Sequence, residues 1–235
     1  MQKHRAVAIL TVALAVVVLG SSMALADTLS LGGGYNTIYT SVDTNGIGGG
    51  SIQNSTLNGT SLPWVYCVDY YDNVGVPALY SNTFVNNGGT IAGSQTNSNN
   101  FGITGFNGTN GSQTSVNNFV AVAWLLQNFA SKTVGDTNAQ IGLQGAIWNQ
   151  IYGMTLTNSN SNTALTDYNA DLAALAALGG SVPNYVSNFD WLSPNGNDPS
   201  VMQGLVTRVP DGGMTLMLLG GTLVGLGTLR RKFHV

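Results

Sequence analysis

The strongest strand signal in this 235-residue chain is Trp64-Val65-Tyr66-Cys67-Val68-Asp69-Tyr70-Tyr71. Aromatic and β-branched residues dominate the segment, and both are typical of β-strands. Because successive side chains of a strand point to opposite faces, the even-numbered residues share one face and the odd-numbered residues share the other. We expect the even-numbered face to be sheet core. Cys67, on the odd-numbered face, is then expected to point toward helices that cover the second face.

Further strand signals lie before and after this segment. Two strands are predicted at residues 28–31 and 35–42, separated by turns rich in Gly and Asn. Residues 81–118 are polar and low in complexity, and we expect short strands or long surface loops there. A last short strand is predicted at residues 200–207. The first part of the chain is therefore mainly β.

Apolar residues recur at helical spacing in three segments between these strands. Ser115 is the predicted N-cap of the first helix. Thr137 and Gln140 have capping-box spacing and open the second. The third helix begins near Ala164 and stops at Gly179. Together the elements predict an α+β fold, with a β-sandwich or barrel-like part and a small helical subdomain.

Cys67 is the only cysteine, and the two histidines, His4 and His234, lie in the terminal segments. This composition excludes a disulfide within the chain, a zinc site built from Cys and His, and a thiol nucleophile with a histidine base. Glutamate is absent, and the aspartates form no acid–base pair evident from the sequence. We therefore expect no metal, no cofactor and no enzymatic activity.

Charge argues against nucleic acid as a partner. All 10 acidic residues are aspartates, and Lys132 is the only lysine between the two terminal segments. A surface with so few cations would repel a phosphate backbone, which binds proteins through Lys and Arg. Solubility must then come from Asn, Ser, Thr and Gln.

Residues 1–26 have the organisation of a secretory signal peptide. A positive start is followed by an apolar run and by the small-residue cleavage site Ala24-Leu25-Ala26. We expect the Sec export machinery and signal peptidase to act on this segment, and the mature chain to begin at Asp27. The main domain is then predicted at residues 27–207.

The C-terminal residues 209–235 combine three features. The motif Val209-Pro210-Asp211-Gly212-Gly213 precedes an apolar run over residues 214–229, and a basic cluster follows at once. The run is long enough to cross a thin bilayer as a transmembrane helix, and basic residues favour the cytoplasmic side. The whole block resembles the PEP-CTERM sorting signal. That resemblance implies an exosortase as partner, a transient membrane anchor, and delivery to the cell surface or to an exopolysaccharide matrix.

Two further segments resemble the signatures of bacterial thioester domains, which are known from surface adhesins. They are Tyr66-Cys67-Val68 and Leu143-Gln144-Gly145-Ala146-Ile147-Trp148, and residues 126–129 loosely match a third signature. The resemblance implies that Cys67 and Gln144 condense with loss of ammonia to form an internal thioester. A thioester persists only where water is excluded, a role we assign to Tyr66, Trp148 and Trp124.

Two functions follow from these patterns. The first is a surface or matrix protein that uses the thioester to attach covalently to an amine-bearing or hydroxyl-bearing partner, as in adhesion or biofilm formation. The second is a non-covalent structural matrix protein in which Cys67 and Gln144 only pack together. A lone strand cysteine is often a small buried hydrophobe, which keeps the second alternative open.

Overall fold

The computed structural model describes residues 27–89, 91, 118–194 and 202–208. The predicted signal peptide (1–26) and sorting signal (209–235, with Val209 to Gly213 and the predicted membrane helix) lie outside the described residues. Most of the segment 81–118 and the predicted cap Ser115 also lie outside them. Among the described helices, none is both long enough and apolar enough to cross a membrane.

The fold is a curled antiparallel sheet covered by helices, which confirms a mixed helix-and-strand architecture. The strands are β1 (Asp27–Leu31), β2 (Asn36–Ile38), β3 (Ile47–Gly49), β4 (Thr56–Leu57), β5 (Thr60–Ser61), β6 (Val65–Cys67), β7 (Ala78–Asn86), β8 (Phe189–Ser193) and β9 (Leu205–Arg208). Seven strands form the sheet in the order β5-β4-β1-β7-β8-β9-β6, while β2 and β3 pair as a separate hairpin. Strand β6, which carries Cys67, is thus an edge strand.

Two strands differ from expectation. The longest, β7, covers the start of a segment for which only short strands or loops were predicted, and it pairs with both β1 and β8. Strand β8 was missed, although all five of its residues are buried. Both segments are rich in Asn, Ser or Asp, so the period-2 pattern is weak in the sequence. Pairing between distant strands, which is a tertiary effect, gives these segments their structure.

Among the described residues there are three α-helices: α1 (Asn118–Phe129), α2 (Thr137–Tyr152) and α3 (Asn162–Ala176). The capping-box prediction for α2 is wrong by one residue. Asp136 is the N-cap, and its carboxylate accepts hydrogen bonds from the backbone N–H groups of Asn138 and Ala139 at 3.0 and 3.1 Å. The Gln140 amide instead donates to the carbonyl of Thr133. Aspartate is at least as favourable as threonine at an N-cap, so the N-cap preference alone does not distinguish Asp136 from Thr137.

Helix α2 is the centre of the molecule. Its residues from Gln140 to Tyr152 are all buried, which is the pattern of a helix surrounded on every side. Close packing depends on glycine: a Cβ at Gly142 would lie 2.9 Å from the backbone nitrogen of Tyr168 in α3. Helix α2 also contacts α1 and the β2 strand. This position brings Gln144, in the middle of the helix, to the edge of the sheet.

Candidate functional site

Cys67 and Gln144 contact each other, although 77 positions separate them in the chain. The Cys67 backbone N–H donates to Gln144 Oε1 at 3.1 Å, and Gln144 Nε2 donates to the Cys67 carbonyl at 2.7 Å. Cys67 is 2% exposed and Gln144 is fully buried. The two residues that the thioester resemblance singles out are therefore neighbours in a water-poor site.

The contact is made at the open edge of strand β6. On its inner side β6 pairs with β9, where Cys67 lies opposite Leu205. On its outer side the Val65 carbonyl accepts a hydrogen bond from the Ile52 N–H, and Gln144 takes the next position along the edge. A primary carboxamide can present an N–H donor and a C=O acceptor side by side in one plane, as a residue of a strand does. Gln144 thus acts as a one-residue substitute for a further strand.

The thiol of Cys67 has a different partner. Its Sγ donates to Oε1 of Gln203 at 3.1 Å, and Gln203 Nε2 in turn donates to the Asp69 carbonyl at 2.6 Å. Burial, and to a smaller extent the charge of Asp69, raise the pKa of the Cys67 thiol to about 12. The thiol is therefore neutral at physiological pH. Sequence reasoning missed Gln203, because only the pairing of β6 with β9 brings this distant residue to Cys67.

A cavity of about 210 Å³ opens beside the sulfur. Its lining combines apolar groups with two side-chain amides and the thiol: Tyr35, Gly48, Gly49, Ile52, Cys67, Asn73, Val74, Val76 and Gln203. Tyr35 and Asn73 are exposed and form its rim. A small molecule that enters this cavity would therefore contact Cys67.

All three predicted shielding residues are buried in the core, and Trp148 is the one near Gln144. Trp148 is fully buried and lies beside Gln144 over the β3 strand, where a Cβ on Gly49 would be 2.7 Å from Trp148 and 3.2 Å from Gln144 Cγ. Only glycine allows this approach. Tyr70 packs edge-on against Trp148, with ring centroids 5.0 Å apart. Trp148 and Gln144 are thus packed against the same glycine of β3.

Tyr66 and Trp124 occupy different places. Tyr66 is fully buried, and its hydroxyl bonds Thr133 just before α2 at 2.6 Å, rather than the Cys67–Gln144 pair. Burial, slightly offset by this hydrogen bond, raises the pKa of the Tyr66 hydroxyl well above its usual range. Trp124 is 9% exposed, and its ring contact is with Phe129 inside α1. Of the three predicted shielding residues, Trp148 is thus the one that lies near Gln144, since both side chains approach Gly49.

The prediction for the β6 faces is correct for the even-numbered residues, which are buried in the core, and wrong for the Cys67 side chain, which does not point to the helices. Tyr66 and Tyr70, on the even-numbered face, reach Thr133 and Trp148 of the helical layer. Cys67, on the other face, points to Gln203 and the cavity. The alternation itself holds, but the helices cover the aromatic face. Gln144 meets Cys67 through the backbone at the strand edge, a geometry that face alternation does not predict.

Among residues 27–89, 91, 118–194 and 202–208, no cluster of three His, Cys, Asp or Glu side chains could hold a metal ion. No protein-family model, curated protein or solved structure matches the chain.

Proposed function

We propose that this chain is an exported surface or matrix protein that attaches covalently to a partner through a Cys67–Gln144 thioester. The observation that carries the proposal is the direct contact between the Gln144 carboxamide and the Cys67 backbone in a buried site. We interpret the curled sheet as the barrel-like part of the predicted fold and helices α1 to α3 as its helical subdomain. Motif resemblance and spatial contact are independent, and both select the same two residues.

The chemistry has two steps. In the first, the Cys67 sulfur attacks Cδ of Gln144, the C–N bond breaks, and the nitrogen leaves as ammonia after taking the thiol proton. This step requires the sulfur to turn from Gln203 toward Gln144. In the second, an amine or hydroxyl group of the partner attacks the thioester carbonyl, the C–S bond breaks, and the sulfur receives the proton of the nucleophile. The partner ends as an amide or ester of residue 144.

Burial supports this chemistry. A thioester lacks amide resonance and hydrolyses unless water is kept away. Gln144 and Trp148 pack against the β3 strand on one side, while the cavity reaches Cys67 on the other. Because the acyl carbon of the thioester would be bonded to the Cys67 sulfur, a nucleophile that enters the cavity could reach it while the opposite side stays closed to water.

The terminal segments support export and sorting. Residues 1–26 would direct the chain through the inner membrane, and 209–235 would hold it there until an exosortase processes the region of Pro210. The cell surface or an exopolysaccharide matrix is then the destination. A chain truncated before Val209 should reach the periplasm and go no further, whereas equal surface abundance of both forms would reduce the tail to a dispensable anchor.

A second candidate is a non-covalent structural protein. It is favoured by one observation: the Cys67 thiol and both polar atoms of the Gln144 side chain already have a hydrogen-bond partner without a thioester. In that case Gln144 serves only to close the sheet edge.

Intact mass of the purified mature chain separates the two functions. A thioester lowers the mass by one ammonia, and methylamine then adds to residue 144 and releases one thiol. Cys67→Ala should abolish both signals while it leaves the fold intact, at a cost of about 1 kcal/mol for so small a buried change. A full-length mass that methylamine does not alter would leave the structural function. Adduct formation in the Cys67→Ala variant would refute the thioester.

A further inference from the structure

Gln203 is the residue that touches the sulfur of Cys67. It lies two residues before β9, is 5% exposed, and has no place in the motifs that predicted the site. We propose that Gln203 is a positioning residue that captures the released Cys67 thiol and stabilises the opened form of the site. This inference rests on the proposed thioester.

The orientation of the Gln203 carboxamide is fixed by the backbone. Its Nε2 donates to the Asp69 carbonyl at 2.6 Å, so its Oε1 faces Cys67 Sγ at 3.1 Å. A carbonyl oxygen can only accept hydrogen bonds. If the amide were flipped, two oxygens would face each other at Asp69. The Asp69 carbonyl therefore sets Gln203 as an acceptor for the thiol hydrogen.

This acceptor distinguishes the two states of the sulfur. The thiol has a hydrogen to donate, whereas the thioester sulfur has none. In the thioester state Gln203 Oε1 loses that donor, and in the opened state the bond is restored. Gln203 thus favours acyl transfer and opposes return of the sulfur to the acyl group. A neutral hydrogen bond of this kind corresponds to a factor of about five in an equilibrium constant.

Titration with ammonia measures how strongly Gln203 favours the opened form over the thioester. It attacks the thioester carbonyl, restores the Gln144 carboxamide and releases the thiol, so opening can be titrated with ammonium at fixed pH and read by intact mass. We expect Gln203→Met to require about fivefold more ammonium than the wild type for half-opening, since methionine fills similar space without a carbonyl acceptor. The matched control is Gln140→Met, which removes another buried amide outside the site. Equal midpoints for Gln203→Met and the wild type would overturn the proposal.

A second measurement is independent of the thioester. In a Gln144→Met background the thiol remains free, and its alkylation by iodoacetamide at pH 8 can be followed. Loss of the acceptor destabilises the neutral thiol, so Gln203→Met should raise the alkylation rate about fivefold, while Gln140→Met should leave it unchanged. Gln203→Leu serves if the methionine variant does not fold. An unchanged rate would contradict thiol capture.

These experiments distinguish failure of the thioester function from failure of the positioning role of Gln203. If no variant shows the loss of ammonia, the thioester function fails, while the alkylation rates still decide whether Gln203 holds the thiol. If peptide mapping finds Cys67 joined to residue 203, Gln203 is the acyl donor and the positioning role is wrong.

Discussion

The Gln144 side chain closes a two-point hydrogen-bonded ring on the backbone of Cys67, with N···O distances of 3.1 and 2.7 Å. Both groups of the strand are buried and use this one side chain as their outer partner. The ring is therefore a structural element as well as a candidate for chemistry. Its loss leaves a buried donor and a buried acceptor without partners, a situation that is costly in any protein interior.

Gln144→Met should therefore destabilise the fold independently of any thioester. We expect a loss of about 2 kcal/mol in the free energy of unfolding, because the backbone N–H and carbonyl of Cys67 lose their partner. Chemical denaturation measures this change. The control is Gln127→Met on α1. The Gln127 side chain accepts an exposed hydrogen bond from Asn188, and loss of that hydrogen bond should cost under about 0.5 kcal/mol. Equal effects of the two substitutions would show that the ring contributes nothing to stability.

A lysine at the cavity rim should consume the electrophile. Asn73 is exposed and lines the same cavity as Cys67, so Asn73→Lys places an amine at high effective concentration beside the proposed thioester. The existing Lys132 amine lies over the Phe129 ring instead, 5.1 Å from its centroid. Thioester occupancy, read by intact mass over time, should fall in this variant.

The control for this experiment is Thr60→Lys. Thr60 is exposed on β5, which is the edge of the sheet opposite β6. Occupancy should match the wild type there, and equal decay in both lysine variants would mean that the cavity does not lead to the acyl group. Asn149 is unsuitable for a lysine because it is buried in α2 and donates to the Met154 carbonyl and to Tyr168.

The spacing of apolar residues, together with helix caps and turn residues, predicts part of this structure. The three helices and the β1 and β6 strands follow from local signals, since apolar spacing and caps act within a few residues. The Cys67–Gln144 pairing followed from family resemblance alone, because no local rule joins residues so far apart. Gln203 and β8 escaped prediction for the same reason: each owes its place to strand pairing across the sheet. The covering of the aromatic face by helices also depends on this long-range topology.

Helix α2 contains a glutamine that reduces stability. Gln150 is fully buried, and within the described residues neither its Nε2 nor its Oε1 has a hydrogen-bond partner. Gln150→Leu keeps a similar volume and removes the desolvation penalty, so unfolding should become less favourable by about 1 kcal/mol or more. Thermal unfolding gives the readout.

Replacing Gln140, on the same helix, by leucine should change the stability in the opposite direction. Gln140 is also buried, but its amide accepts from Asn36 at 3.0 Å and donates to the Thr133 carbonyl at 3.1 Å. Gln140→Leu should lower the midpoint of unfolding while Gln150→Leu raises it. A lowered midpoint for both variants would indicate that Gln150 has a polar partner after all.

Stability should decrease as the pH rises from about 4 to about 7, because of Asp171 on α3. Burial, and secondly the neighbouring Asp167, raise the pKa of Asp171 from 3.8 to about 7, against a lowering effect of Lys132. Asp171 therefore binds its proton more tightly in the folded protein than in the unfolded chain. Below about pH 4 Asp171 is protonated in both states and contributes nothing to the pH dependence. Between pH 4 and 7 the unfolded chain ionises while the native carboxyl remains neutral, so stability declines, and above pH 7 it levels off.

Asp171→Asn should remove most of this slope. Asparagine mimics the protonated carboxyl, so the variant should match the wild type near pH 4 and exceed it at pH 8 by at least about 1 kcal/mol, since one pKa unit corresponds to 1.36 kcal/mol. Urea unfolding between pH 4 and 8 measures both curves. Asp167→Asn is the matched comparison, because it leaves Asp171 buried but removes the neighbouring charge. The pH dependence of its stability should be weaker than in the wild type and stronger than in Asp171→Asn. An unchanged slope in Asp171→Asn would assign the pH dependence to other carboxyl groups, of which Asp190 also has a raised pKa through burial.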